Sequence, residues 1–462
     1  MLTTYTDLDK CSNDEAKRIS FVQQAINAFK ESEEYKIADK AMKYYNGLNP
    51  EIAAVEKIVY DMKGIAHQDL VTPNNKIRNG YFPLIIDEAV SHLLANGISF
   101  STPSKKDKLG ADFDDVTKRI YREALICRCS YGYFNGERTI KLPYLNTRQV
   151  IDDYTGDLRA AVFFSQIEDN KPLVVTLYEN DGFTEYVQED GKAMTVRQEK
   201  RPYSYNVMYN NAEGEYFQWS DQQKSYLPIV PMYSPRKQSM IVGSLEILVA
   251  LDLMASQLVN NVSQSELIYW VLKNYGGMDD IADANFIVNL LKTHIIHVDE
   301  GGSAEPHQIQ VPFEANNAAY ARLKAQLFEN MRGVNHEVMD AGNLTATAIN
   351  SAYSRLRNFS GLAESDVFDY VRGIMKLANI DDNEKFTVEY NETINASEAI
   401  QNTIASAQWL GEEATTEKLV MLNGLGDKLE KIQKQKAAEQ LAQFQLLNAQ
   451  NNAQGGSDGL EV

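Results

Sequence analysis

Apolar residues recur along the chain at two different periods, and the change of period marks its parts. From 13 to 62 the spacing is helical, through Ala16, Ile19, Val22, Ile26 and Phe29, with Asn13 as the cap. A polar loop holding Pro73, Asn74 and Asn75 follows. Phe82-Pro83-Leu84-Ile85-Ile86 then leads into a helix through Ala89, Val90, Leu93 and Leu94, closed by Asn96-Gly97. Residues 112 to 130 repeat the helical period through Val116, Ile120 and Ala124. From 131 to 230 apolar and polar residues alternate between turn signals such as Gly136, Asp153 to Gly156, Asn180 to Gly182 and Asp190-Gly191, which predicts an antiparallel meander. Ala161 to Phe164 and Leu173 to Tyr178 are its clearest strands, and Leu227-Pro228-Ile229-Val230-Pro231 ends it.

The helical period returns at 239 and runs to 266 through Ile241, Leu245, Leu248, Leu251, Leu258 and Val262, opened by Ser239 or Ser244. About 28 residues at a rise of 1.5 Å make a rod of about 40 Å. A compact α/β insert occupies 267–313, with Tyr269-Trp270-Val271-Leu272, a Gly276-Gly277 break, a short helix, and strands His294 to Val298 and Gln308 to Phe313 joined at Gly301-Gly302. A second long helix is expected to about 339, through Ala318, Leu323, Leu327, Met331 and Val338. A small polar stretch then leads into a further long helix to about 379, with Gly361 and Gly373 as points where it could kink. A strand at Phe386 to Tyr390 precedes a last helical unit. There Asn395-Ala396-Ser397-Glu398 reads as a capping box, the first helix reaches Trp409, Gly411 stops it, and Thr415 or Thr416 caps the next. The Gln-, Lys- and Ala-rich stretch from Lys428 to Asn452 reads as a solvated helix, and the last residues as a disordered tail. The class is α+β, mainly helical.

Composition narrows what such a chain does. The 462 residues are 44% hydrophobic and 24% charged, which suits several globular units. No run of eighteen apolar residues suggests a membrane span, and the first residues do not resemble a secretory signal. Three cysteines, Cys11, Cys127 and Cys129, fit a reducing compartment. The formal charge of −19 weighs against a protein that holds nucleic acid through Lys and Arg. Two possibilities remain: no contact with nucleic acid, or contact without adhesion.

No catalytic constellation is visible. The chain has no Gly-x-x-x-x-Gly-Lys-Ser/Thr, so a nucleotide-driven motor is not expected in it, and no Gly-x-Ser-x-Gly. His294 and His297, three apart on an expected strand, point to opposite faces and do not converge on a metal with His307. The adjacent pairs Asp152-Asp153, Asp279-Asp280 and Asp381-Asp382 each abut a turn and read as turn or cap residues. No catalytic residue, metal or cofactor is expected.

Four segments, in order along almost the whole chain, resemble the SPP1-like family of phage portal proteins. Asn74-Asn75-Lys76-Ile77-Arg78-Asn79-Gly80-Tyr81-Phe82, with Ile86-Asp87 and Asn96-Gly97, is similar to that family's early N-K-I-x-N-x-F segment. Ile229-Val230-Pro231, through Gly243-Ser244-Leu245-Glu246 to Leu251-Asp252, resembles its entry into the stem helix. Leu272 to Gly277 and the acidic turn Val298-Asp299-Glu300-Gly301-Gly302 look like its clip. Asp340 to Ile349 falls where the family has its tunnel loop, and Asn395 to Glu398 where its crown begins. The tunnel segment departs from the usual Ser-Gly-x-Ala-Leu, reading Ala346-Thr347-Ala348-Ile349.

The resemblance implies a wing at 1–238, stem helices at 239–266 and 314–339, a clip at 267–313, a tunnel loop at 340–349, a kinked helix with a wing strand at 350–392, and a crown at 393–452 ahead of a tail at 453–462. It implies a homo-oligomeric ring, usually of twelve subunits, that acts as the head-tail connector at the capsid vertex of a virion and assembles in the host cytoplasm. Implied partners are the large terminase ATPase, a head-completion or adaptor protein, the scaffolding and major capsid proteins, and double-stranded DNA passing through; no membrane is implied. Tunnel-loop residues would be Asp340, Asn343, Leu344, Thr345, Ala346, Thr347 and Ala348. Tyr275, Asp299, Glu300, Gly301 and Gly302 would form the docking surface of the clip. Lys273, Lys292, Arg322, Lys324 and Arg332 are the cations expected at the channel or between subunits. In a bore, the acidic balance acquires a use: a duplex carries one charge per roughly 1.7 Å, and an acidic wall lets it slide. The competing reading is another structural virion component, an adaptor or minor head protein without a bore; an enzyme with a divergent site is a more distant one.

Overall fold

The computed structural model describes residues 3–60, 64–69, 72–203, 207–210, 214–217, 227–265, 268–273, 303–308, 313–335, 346–391 and 396–422, with further positions between 429 and 445. The chain divides into a larger body, residues 1–335 and 355–391, and a smaller one, residues 336–354 and 392–462.

The larger body opens with α1 (Tyr5–Asp9), α2 (Glu15–Glu31), α3 (Glu33–Tyr45) and α4 (Pro50–Ala53). The single helix expected over 13–62 is therefore several elements. The break falls at Ser32, whose backbone is extended (φ −67°, ψ 148°). Its hydroxyl donates to Phe29 O at 2.6 Å and accepts from Tyr35 N at 3.2 Å, so one side chain serves the end of α2 and the start of α3. The bend lets Val22, Ile26 and Phe29 of α2 and Ala38, Ala41 and Tyr44 of α3 all be buried. Asp14, rather than Asn13, caps α2 by accepting from Lys17 N at 3.1 Å. The end of the expected helix is a strand, β1 (Ile58–Tyr60), paired with β2 (Ala66–Gln68) in a two-stranded hairpin.

Next come α5 (Tyr81–Leu94), β3 (Ile98–Phe100), α6 (Pro103–Lys106) and α7 (Phe113–Cys127). Gly97, at φ 74°, ends α5 as expected. α7 stops short of 130 because Arg128 turns left-handed (φ 92°) and gives its N–H to Ala124 O at 2.8 Å. The two neighbouring cysteines thus lie on different elements, and both are buried free thiols.

Among the described residues the expected meander resolves into three sheets. β4 (Cys129–Phe134) and β5 (Thr139–Leu142) form a hairpin, to which β13 (Ile229–Tyr233) returns, giving the order β13-β4-β5. Pro231 is tolerated because β13 is an edge strand. The second sheet is a sequential antiparallel meander of β6 (Thr147–Ile151), β7 (Leu158–Ser165), β8 (Leu173–Glu179), β9 (Gly182–Gln188) and β10 (Thr195–Arg201). A separate hairpin joins β11 (Val207–Asn210) to β12 (Gly214–Phe217). Asp152 and Asp381 act as turn residues, Asp152 Oδ1 accepting from Tyr154 N and Thr155 N and Asp381 Oδ1 from Asn383 N, whereas Asp153 Oδ2 accepts from Thr6 N and Thr6 Oγ1 of α1.

α8 (Leu245–Ser265) begins after Ser244, whose carbonyl accepts Leu248 N at 3.0 Å; residues 240–244 are turn, not helix. β14 (Ile268–Lys273) pairs with β15 (Ser303–Gln308), so the insert's described sheet differs from the one expected. His294 to Val298 lies outside the described residues. Of Gln308 to Phe313, Gln308 ends β15 and Phe313 opens α9 (Phe313–Met331), and 309–312 lie outside the described residues. α9 ends before 339, at Arg332 (φ 58°), with Gly333 N bonded to Phe328 O at 3.0 Å. α10 (Ala346–Leu377) is continuous through both of its glycines. Gly373 marks close approach: a Cβ there would stand 2.6 Å from Val230 Cγ1. Gly132 of β4 likewise lies where any side chain would collide with the Tyr370 ring. β16 (Phe386–Val388) pairs with β3, joining distant parts of the chain.

The smaller body contains the start of α10, then α11 (Ala396–Ala405), α12 (Ala407–Leu410) and α13 (Glu412–Leu422). Gly411 (φ 79°) ends α12. Thr415 and Thr416 lie inside α13, not at its cap; their hydroxyls donate back to Gly411 O and Glu412 O.

Candidate functional site

The region that the sequence marks most strongly for function is the pair α8 and α9. They run antiparallel: Asn330 Nδ2 reaches Gly243 O at 3.3 Å, while residues 254–259 and 316–320 line one groove farther along. Alongside α8 runs the segment 74–80, which has no β partner among the described residues.

Three side chains of α8 take the place of that partner. Asp252 Oδ1 accepts Asn79 N at 2.8 Å and Asn79 Nδ2 at 3.0 Å. Ser256 Oγ accepts Ile77 N at 2.9 Å. Asn260 Oδ1 accepts Asn75 N at 2.8 Å and Asn75 Nδ2 at 3.0 Å. The acceptors are four residues apart and the donors two. Four residues of helix rise about 6 Å and two of extended chain about 6.6 Å, so the two ladders stay in step. Asp252, Ser256 and Asn260 are all buried. They answer backbone N–H groups that would otherwise be costly to leave unpaired.

Asp252 also accepts from Asn49 Nδ2 at 2.5 Å, which ties α4 to the same point. Burial pushes its carboxyl above the ordinary range, and the Asn49 and Asn79 donors and nearby Arg78 hold it back. Tyr320 of α9 completes the junction, donating to Asn79 Oδ1 at 3.1 Å and lying 3.0 Å from the Tyr81 hydroxyl. Beside it is a groove of about 360 Å³, lined by Ile77, Met254, Ala255, Leu258, Val259 and Tyr320 among others.

The cations named from sequence are dispersed. Arg322 is exposed on α9, and Lys324 Nζ lies 5.3 Å from the Tyr81 ring. Arg332 packs its guanidinium 5.7 Å from the Phe359 ring. Lys273 ends β14 opposite Ser303. Lys292, Tyr275, Asp299, Glu300, Gly301 and Gly302 lie outside the described residues, as do Asp340, Asn343, Leu344 and Thr345. Ala346, Thr347 and Ala348 are helical, forming the first turn of α10 instead of a loop. Sequence reasoning passed over the ladder. Its signal was present as Asp252, Ser256 and Asn260 on one helical face, with Asn75 and Asn79 in the N-K-I segment.

Composition alone also undercounted one feature. Leu245–Val262 is long and apolar enough to cross a membrane by length and hydropathy. In the fold this stretch buries Leu248 and Leu251 together with the ladder residues Asp252, Ser256 and Asn260, and 28% of it is buried.

Residues 29–442 match the family model described as phage portal protein, SPP1 Gp6-like. The chain belongs to that family of phage portal proteins. A portal protein of Clostridium phage phiCD119 is 23% identical over 398 residues, which cover 77% of this chain and 85% of that relative. Among solved structures, similarity extends to one described as the neck of a native GTA particle computed with C12 symmetry. It shares 10% identity at a TM-score of 0.37 and covers 73% of this chain and 87% of that one. A second, the neck of an empty GTA particle computed with C6 symmetry, shares 12% identity at a TM-score of 0.38, covering 74% and 88%.

Proposed function

We propose that this phage portal subunit works as a non-enzymatic ring, usually of twelve copies, through which double-stranded DNA is packaged and ejected. The family match over 29–442 carries the reading. In this reading α8 and α9 are the stem, 267–313 is the clip that receives the large terminase and later a head-completion protein, and 393–452 is the crown. The wing is the rest of the larger body, facing the major capsid protein, with a scaffolding protein aiding ring nucleation in the host cytoplasm. Residues 340–349 are the tunnel segment in this reading, and Ala346 to Ile349 of it open α10.

The chain's net charge of −19 fits a conduit. A basic bore would exchange counterions with the duplex and hold it. An acidic one, with a few cations such as Arg322, Lys324 or Arg332 repeated around the ring, limits adhesion and can still check backward slippage. The motor is supplied by the terminase.

Negative-stain microscopy of the purified chain tests this. Rings with a channel wide enough for a duplex are expected. A protein that stays monomeric or dimeric, even with its scaffold, would favour an adaptor or minor head protein. Deleting Leu344 to Ala348 should leave rings intact and impair packaging; normal packaging would remove these residues from the tunnel.

A further inference from the structure

The hairpin β1–β2 is one of four two-stranded sheets among the described residues of the larger body. It has two strands, a size that is marginal in water without a surface to pack on. Its large apolar side chains face outward: Ile58 is 57% exposed, Val59 45% and Ile65 54%. Its base is nevertheless anchored. Asp69 N bonds Lys57 O at 2.9 Å, Lys57 Nζ donates to Pro73 O, and Asn75 is held by Asn260. An apolar projection on a fixed root is a docking element.

The same body also has an apolar concavity, the groove between α8 and α9. We propose that the β1–β2 hairpin of each subunit docks into the α8–α9 groove of the next copy in the ring. This rests on the ring reading, and three observations support it. A closed ring needs a heterologous contact, two unlike patches on one chain, and this chain carries a convex and a concave apolar patch. The segment that follows the hairpin is held at Asn260 through Asn75, and the groove is lined by residues 254–259 of the same helix. Points close together in one subunit keep nearly the same height along any ring axis, so rotation to the next copy leaves projection and groove level. Charge also favours it. Copies of a chain at −19 repel, whereas residues 55–80 hold four Lys or Arg against three carboxylates. The hairpin segment is thus close to electroneutral within an acidic chain.

The test uses the full chain with Cys11→Ser, since Cys127 and Cys129 are buried. Ile58→Cys and Val259→Cys are combined, rings are treated with a short bis-maleimide, and products are separated under denaturing conditions. A ladder of covalent multimers is expected from the double variant and not from either single one. Rings visible by microscopy without that ladder, or a cross-linked monomer alone, would overturn the docking and leave the ring reading standing. A parent protein that forms no rings would sink both. As a second measurement, Ile58→Asp with Val59→Asp alters only exposed side chains; it should preserve the unfolding temperature and lower the ring population about tenfold. An unchanged ring population would overturn the docking.

Discussion

α7 and α9 are helices of similar length with opposite means of support. Ten of the fifteen residues of α7 are buried, and it packs against α3, α5 and β4. On α9 only Leu327, Phe328 and Met331 are buried among nineteen. Its neighbour α8 buries polar groups as well as apolar ones, through Asp252, Ser256 and Asn260. The contrast separates a region that folds on its own apolar surface from one whose single-chain stability leans on specific hydrogen bonds.

Several substitutions would break or sharpen that contrast. The largest effect belongs to the apolar body. Phe82→Ala, at a fully buried ring, should cost about 3–5 kcal/mol in denaturant unfolding, whereas Leu362→Ala, at a half-exposed site, should cost under about 1 kcal/mol. Next is the ladder. Asp252→Ala leaves the Asn79 and Asn49 donors without their acceptor and should cost about 2–3 kcal/mol, with faster amide exchange at Asn79. Ser256→Ala should cost about 1 kcal/mol, with faster exchange at Ile77. Protection of those amides unchanged in both variants would mean that the ladder does not hold the segment.

A smaller effect is expected from pH. The Asp252 carboxyl is raised, chiefly by burial. It therefore binds more protons folded than unfolded, and its contribution to stability falls as pH rises through the window between the unfolded and folded values. Glu51 and Glu384 shift the other way, so whole-protein stability will not isolate it. The difference between the parent and Asp252→Asn will. Acidification should move that difference in favour of the parent, and a flat difference would contradict the assignment. The smallest effect is at the junction of α7 and β4. Arg128→Gly relieves a left-handed backbone and loses a long, partly exposed contact of 3.6 Å with Glu34, for a net gain of about 1 kcal/mol in thermal unfolding.

Much of this was legible in the chain because period alone reports local geometry. The α5 and α7 stripes, the β7 and β8 strands and the long α8 all lie where apolar spacing puts them. Boundaries were less legible. Ser32 is one polar residue within an apolar stripe, and only the capping bonds it makes on both sides turn a helix into two. Gly373 looked like a flexible point and is a contact with Val230, a residue 143 positions away in sequence. The ladder was missed for the same reason. Asp252 and Asn79 are 173 residues apart, and no local pattern says which polar residues meet.

The alternation of periods, the acidic balance and the order of the four family segments were determined by the sequence itself, since each is a property of neighbours or of sums. The tertiary structure decided which polar groups are buried together. It closed β13 onto β4 and β16 onto β3 across long stretches of chain. It also set segment 74–80 on α8, where every second backbone N–H finds an acceptor one helical turn on. Such pairing depends on where two distant segments come to lie, and buried donors accept few alternatives.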